Sequence, residues 1–422
     1  MPFSDGFPSS YSVFMPPRPN NTLLRPAVKA QSANFAPSEM FYPAMTGIYI
    51  HIPFCKTRCD YCAFYSTTLG AEWRERYVAR LCAEAAERRE ESPGGEVSTI
   101  YIGGGTPSQL SVEQLARIFE TLYAVYHVSP DAEVTIEVNP DDITEPYVAG
   151  LAQLPINRIS MGVQSFDDSL LRRIHRRHTA AQAIEAYRRL RKYFHNISID
   201  LIYALPGEDL KRWTADIDRA VELAPEHISA YALSYEEGTP LTAQLQAGRV
   251  HETDEETYIN MYNLLVDRLT AAGYELYEIS NLCRPSFRAR HNSSYWHGVP
   301  YIGLGAGAHS YDGDSRRINL PDVRSYAESK ANVPCRIERL SDNEKYDEMV
   351  MTRLRTSDGL LLSEVERCFG AERKEYLLAQ AASYIRCGKA AIISDNNGEI
   401  LRLTRDGIYI ADEIIADLMC PD

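Results

Sequence analysis

The sequence predicts an α/β fold: a partial, partly open barrel of six parallel β/α units, followed by a smaller α/β module resembling a winged helix. Three observations lead there. From Gly47 to about residue 280, short apolar runs rich in β-branched residues alternate with helical runs. Beyond residue 340 the pattern becomes helices, then two short strand-like runs, 391–394 and 399–403, turned at Asn397-Gly398. At 422 residues, 45% hydrophobic and 24% charged, the chain has the length of two or three domains and an ordinary globular composition. A chain this long buries a core without staples, which excludes global disorder and mini-protein scaffolds.

In chain order, residues 1–45 hold eight of the 23 prolines and no hydrophobic period, so they read as a disordered extension. Met45 directly precedes the first strand and is the alternative start. Strand-like runs follow at 48–52, 97–102, 133–138, 158–163, 197–205, 228–234 and 274–279. Helical runs lie between them at 72–89, 111–126, 144–154, 180–193, 210–223 and 255–271, and Ser111 with Gln114 reads as a capping box. Single helices between short strands imply parallel pairing, and barrels of such units carry their chemistry at the C-terminal strand ends. The barrel is expected over 46–280. A connecting segment with Gly303, Gly305 and Gly307 spans 281–340, and the last module spans 341–422, over or beside the barrel mouth.

Charge and cysteine usage narrow the function. The net charge of −14 excludes a general nucleic-acid backbone binder. The last module carries ten Lys/Arg against sixteen Asp/Glu, so a structural or docking role is preferred there over DNA binding. No apolar run approaches the roughly 20 residues of a membrane-spanning helix, so an integral membrane protein is not expected. There is no basic-then-apolar export signal, and the nine cysteines are an odd number. Free thiols in the reducing cytoplasm are therefore expected. Cys82, Cys283, Cys335, Cys368, Cys387 and Cys420 are scattered and read as small buried hydrophobes.

The strongest signal is the run HIPFCKTRCDYC, which starts at His51 and follows the first strand. Cys55, Cys59 and Cys62 stand at offsets of four and three, so one loop can bring all three to one metal centre. A zinc site wants four ligands in paired spacing, and no second pair exists. Three thiols can instead hold three irons of a [4Fe–4S] cluster and leave the fourth iron open to a small molecule.

This CxxxCxYC element at the end of a first barrel strand resembles the radical S-adenosylmethionine (SAM) superfamily. There SAM chelates the fourth iron, and one electron from the cluster cleaves it to a 5′-deoxyadenosyl radical. The resemblance implies an electron donor for the cluster. Further matches are the glycine run at Gly103, Gly104 and Gly105 with Thr106, the EVNP element at Glu137, and the RISMGVQSF element from Arg158 to Phe166. Arg176 with His178 and Thr179, and the element from Asp200 to Gly207, complete the set. Together they are similar to the oxygen-independent coproporphyrinogen III oxidase-like family. The resemblance implies SAM contacts at Tyr49, Gly104, Gly105, Thr106 and Glu137. Gln164, Arg176 and Asp200 match positions that line a second SAM in the oxidases. His175 replaces a glycine of the family pattern before Arg176.

Two features point to one branch. The oxidases carry a fourth cysteine two residues beyond the third, where this chain has Phe64. The run HNSSYW from His291, followed by a glycine-rich segment ending at His309, is similar to the family's heme chaperones. A neutral imidazole can ligate heme iron, and Tyr295 and Trp296 offer flat apolar faces to a porphyrin. His291, Tyr295 and Trp296 are therefore the heme candidates, with His309 second to His291. The resemblance implies a chaperone that carries heme as cargo to apo-hemoprotein acceptors and lacks oxidase activity. The alternative is the oxidase itself, a radical decarboxylation of coproporphyrinogen III to protoporphyrinogen IX.

Overall fold

The computed structural model describes residues 45–91, 95–396 and 398–420. The extension expected over 1–45 lies outside the described residues apart from Met45, as does Asn397 of the expected turn. Six strands form the parallel core: β1 (Met45–Ile52), β2 (Glu96–Gly104), β3 (Val128–Val138), β4 (Arg158–Gln164), β5 (Ile197–Tyr203) and β6 (His227–Ala232). Each pairs in parallel with the next. The crossovers are α1 (Ala71–Glu87), α2 (Val112–Val125), α3 (Glu145–Leu151), the pair α4 (Asp168–Arg173) and α5 (Ala180–Arg191), and α6 (Leu210–Leu223). The capping box at Ser111 and Gln114 is formed, and Thr179 with Gln182 makes a second on α5.

Strand periodicity decides what faces inward. On β1, Ile48, Ile50 and Ile52 are fully buried in the apolar core under the helices, while Tyr49 lines the lumen and His51 shares its face. The same alternation sets Ile100 and Ile102 against Tyr101, and Ile197, Ile199 and Leu201 against Asp200. The apolar halves of these strands anchor the sheet, leaving a polar inner face for chemistry.

The seventh strand-like run differs from the parallel expectation. After β6 come α7 (Pro240–Gln246) and α8 (Glu255–Ala271), then β7 (Glu275–Glu278) and β8 (Asn281–Cys283). Two residues join β7 to β8, too few for a crossover, so they form an antiparallel pair and β8 runs antiparallel to β6. The 281–340 segment is also more regular than a loop-rich connection. It holds α9 (Arg290–Trp296), β9 (Tyr301–Leu304), β10 (His309–Tyr311), β11 (Ser315–Asn319), α10 (Val323–Glu328) and β12 (Cys335–Arg339). β9 pairs in parallel with the free side of β1, and β10 to β12 continue antiparallel. The sheet is thus open and twelve-stranded, with β12 and β7 at its edges. Glycine hid β9 from sequence reading: a Cβ at Gly303 would overlap the His309 carbonyl, so the close return to β10 requires glycine there.

The last module contains α11 (Asp342–Leu354), β13 (Leu360–Leu361), α12 (Leu362–Phe369), α13 (Ala371–Arg386), β14 (Ala390–Asp395), β15 (Gly398–Leu403), α14 (Arg405–Ile408) and α15 (Ala411–Leu418). It has its own apolar cluster, centred on Tyr346, Val350, Leu377 and Ile414. Ile279 of the β7–β8 link packs into that cluster, and its N–H donates to the Arg355 carbonyl at 3.1 Å. The module therefore docks on the β7–β8 edge. No helix among the described residues is long and apolar enough to cross a membrane.

Candidate functional site

One cavity runs along the inner face of the sheet, lined by the three cysteines, the eight SAM candidates, and His291, Tyr295 and Trp296, while the second heme candidate, His309, is not among its lining residues. Phe64 lines it too.

The cysteine loop joins β1 to α1 and is tied at both ends. Cys55 N–H donates to the Thr67 carbonyl at 2.9 Å, and Thr67 N–H returns to the Pro53 carbonyl at 2.6 Å. Phe54 is fully buried as the loop's anchor and meets Tyr77 edge-on. The three thiols are free and half-buried. Cys55 Sγ lies 3.4 Å from the Thr106 hydroxyl, and Arg176 donates to Cys59 Sγ at 3.5 Å. Burial pushes the Cys62 thiol up to about 12, with the Cys59 and Cys55 charges adding to it. Burial also raises Cys55. Such thiols stay protonated until a metal's positive charge displaces the proton. Among the described residues no three His, Cys, Asp or Glu side chains converge to hold a single ion. Three thiols carried on one loop suit donors to three separate irons.

Beside them, Glu137 accepts from the Tyr101 hydroxyl at 2.7 Å and from Gly104 N–H at 3.1 Å. The Gly104 amide is thus already engaged. Burial pushes the Glu137 carboxyl up to about 7, and Asp200 adds to this against the pull of Tyr101 and Gly104. Gly104 has φ +110°, and a Cβ there would lie 2.6 Å from the His51 ring. That ring is clamped. Its Nε2 donates to the Tyr65 carbonyl at 2.9 Å, so its Nδ1 accepts from the Tyr49 hydroxyl at 2.9 Å. Burial lowers His51 to about 4, which keeps it neutral.

Gln164 ends β4 in the left-handed region, at φ 69°. Arg176 donates to Asn139 Oδ1 at 2.6 Å and to the Gly162 carbonyl at 2.5 Å. A Cβ at Gly162 would meet the Gln164 amide at 2.9 Å and Arg176 at 3.3 Å, so this glycine allows both side chains to approach. Both Asp200 oxygens accept from the Ser160 hydroxyl at 3.1 Å. Burial raises the Asp200 carboxyl against the hydrogen bonds of Ser229 and Ser160.

The HNSSYW run lies in helix α9, which puts His291 and Tyr295 on one face. Glu133 caps its start, accepting from Arg290 and His291 N–H at 2.9 and 3.0 Å. The His291 ring is fully buried. Its Nδ1 lies 2.8 Å from the Thr99 hydroxyl and its Nε2 lies 2.8 Å from the Tyr295 hydroxyl. It stacks on Tyr101 with centroids 5.2 Å apart. Burial, then the Arg158 charge, lowers it to about 3. Both ring nitrogens are therefore engaged. His309, the second choice, begins β10.

Tyr101, His51, Asn139, Ser160 and Arg158 belong to the site but were not singled out for it by sequence. The signal was available in the period-two face of each strand, since every second residue opposite an aliphatic one points inward.

Comparisons with known proteins agree with this geometry. Residues 49–220 match the radical SAM superfamily, and 340–410 match the HemN C-terminal domain. A protein of Mycobacterium tuberculosis named heme chaperone HemW is 34% identical over 383 residues, spanning 88% of this chain and 94% of its own. The chain belongs to the HemW family of radical SAM proteins. A HemW of Bacillus subtilis is 35% identical over 75% of this chain and 85% of its own. The structure of Escherichia coli HemN, a coproporphyrinogen III oxidase and radical SAM enzyme, superimposes with TM-score 0.76 at 22% identity. It covers 89% of this chain and 90% of its own, which establishes the shared fold. Membership of the radical SAM superfamily implies a [4Fe–4S] cluster and SAM. The free thiols on one tied loop, beside a buried carboxylate and a glycine shelf, fit both groups.

Proposed function

We propose that this chain is a heme chaperone that binds heme and passes it to apo-hemoprotein acceptors. The 34% identity along 94% of a relative so named carries the reading, and Phe64 in place of the oxidases' further cysteine supports it. Cys55, Cys59 and Cys62 are the cluster ligands, and a bound cluster would supply an electron to SAM at its open iron. Glu137 takes the SAM ammonium, because a buried carboxylate gains most by pairing with a cation. Tyr49 stands over the same space, held by neutral His51. Thr106 and the Gly104–Gly105 shelf floor the SAM site and exclude side chains from it. Gln164, Arg176 and Asp200 orient ligand groups further along the lumen. His291, Tyr295 and Trp296 are the heme contacts. Coordination by His291 Nε2 requires the Tyr295 hydroxyl to leave it.

The protein works in the cytoplasm, where its nine cysteines stay reduced, and it takes electrons from a donor for the cluster. Its acidic balance leaves nucleic acid out of its partners. The test is anaerobic reconstitution followed by heme titration and coproporphyrinogen III turnover on the same sample. Heme binding without turnover is expected. Turnover without heme binding would overturn the reading in favour of the oxidase.

A further inference from the structure

Arg158 opens β4 and lines the cavity. It is 1% exposed, and its Nε is buried with no partner among the described residues. Its charge reaches Asp200, whose two oxygens are taken up by the Ser160 hydroxyl and, at 3.4 Å, by Ser198. The rings around it are neutral: burial, then Arg158 itself, depresses both His291 and His227. A buried guanidinium N–H left without an acceptor costs about 1–3 kcal/mol, which a ligand acceptor would recover. Two further orphans among the described residues share the cavity, and one of them is Arg176 Nε, beside Cys59. Asn281 Oδ1 is buried without a partner among the described residues, while its amide nitrogen donates to Glu278.

We propose that Arg158 binds the carboxylate of an organic ligand whose arm enters the lumen, and that this arm is a porphyrin propionate. The planar fork of a guanidinium matches a carboxylate through paired N–H donors. Two sources could offer that group, a porphyrin propionate or the carboxyl end of SAM. Position favours the porphyrin. Arg158 lies at the N-terminal end of β4, about 20 Å of strand below Gln164 at about 3.3 Å per residue. The thiols and the glycine shelf lie at the opposite, C-terminal strand ends, and the Arg158 charge is felt by His291 in the heme-candidate helix as well as by Asp200 and Tyr101. The porphyrin assignment rests on the heme reading above; the carboxylate site itself does not.

The test compares wild type with Arg158→Gln, both full-length and reconstituted. Titration with hemin and with hemin dimethyl ester separates the carboxylate from the macrocycle. Wild type is expected to bind hemin about tenfold or more tighter than the ester, the value of a charge-assisted bond. Arg158→Gln should erase that preference and leave affinity for the ester unchanged. Equal hemin affinity in both proteins overturns the proposal. A loss confined to SAM affinity, measured calorimetrically, keeps the carboxylate site and overturns the porphyrin assignment. If wild type binds no hemin at all, the heme reading fails by itself. The carboxylate site then stands if sodium propionate raises the melting temperature of wild type but not of Arg158→Gln, and it falls if neither responds. Without ligand, Arg158→Gln should melt at or above the wild-type temperature, since it removes an unpaired buried charge. A drop of several degrees, or failure to fold, assigns Arg158 to the fold and overturns the proposal.

Discussion

At the mouth of the cavity the chemistry hangs from a loop: Cys55, Cys59 and Cys62 are half-exposed, and their partners are a hydroxyl and a guanidinium. At the floor it is built from helix and strand. His291 is fully buried there, with each ring nitrogen against a hydroxyl and its face on Tyr101. Both regions announce themselves by a short motif, yet the two motifs behave differently. The cysteine run presents half-exposed donors held only by long contacts to a hydroxyl and a guanidinium. The HNSSYW run consumes its donors in holding β2, β3 and α9 together. Residue type and spacing say which chemistry is available, and burial with local hydrogen bonding says whether it is free.

The sharpest way to break this contrast is to remove one group from each end. Cys55→Ala, Cys59→Ala and Cys62→Ala should each abolish the anaerobic visible absorption and the iron and sulfide content of the reconstituted protein. The melting temperature of the cluster-free chain should barely move, because these side chains support no packing core. Cys82→Ala and Cys283→Ala should retain the full cluster. His291→Ala should behave in the opposite way, costing about 2–4 kcal/mol in denaturant unfolding through a cavity and two stranded hydroxyls. If His291→Ala proved as stable as wild type while losing heme, the floor would be a presented site like the mouth, and the comparison would fail.

The same contrast explains what was legible in the sequence. Periodicity gave the six parallel strands, because each crossover unit is local and its aliphatic face is long enough to read. It missed the direction of β7, which depends on the two-residue link to β8, and it missed β9, where Gly303 breaks the apolar pattern. Within the site, the cysteines, Glu137 and Asp200 stood out through their motifs. Arg158 stood in the RISMGVQSF element without a role of its own, and Tyr101 was given none either, because their meaning lies in the inward phase of a strand and in what surrounds them after folding. The burial of His291 depends on Thr99, 192 residues away, and no window of sequence contains that contact.

Glu137 tests an intermediate case, a buried group near the mouth that stays available to a ligand. Its carboxyl sits at about 7, raised first by burial and then by Asp200. Pairing with a ligand ammonium requires the ionised form, so affinity for SAM should rise as pH increases from 5.5 towards 7. The slope can reach about tenfold per pH unit on the acid side, while an α-amino group remains charged below about 7.7. Glu137→Gln should flatten that dependence and weaken binding about tenfold, measured by calorimetry on reconstituted protein. A flat wild-type profile would remove Glu137 from the SAM contacts.

The smallest effect expected comes from Glu208, a group outside the cavity that is buried in the manner of the floor. It follows β5 and accepts from Leu205 N–H at 3.0 Å through one oxygen, while the other oxygen has no partner among the described residues. Burial pushes its carboxyl up to about 8, with Asp216 and Asp209 adding to the shift and the Leu205 and Ala204 amides opposing it. A raised acid binds its proton more tightly folded than unfolded. Its stabilising contribution is therefore complete below the unfolded value near 4.3 and is lost as pH rises through about 8. Wild type should lose roughly 1–2 kcal/mol more stability between pH 6 and 8.5 than Glu208→Gln, whose neutral amide has no proton to release. Urea midpoints at the two pH values measure the difference. Parallel loss in both proteins would show that the Glu208 carboxyl reaches water and behaves like the open residues of the mouth.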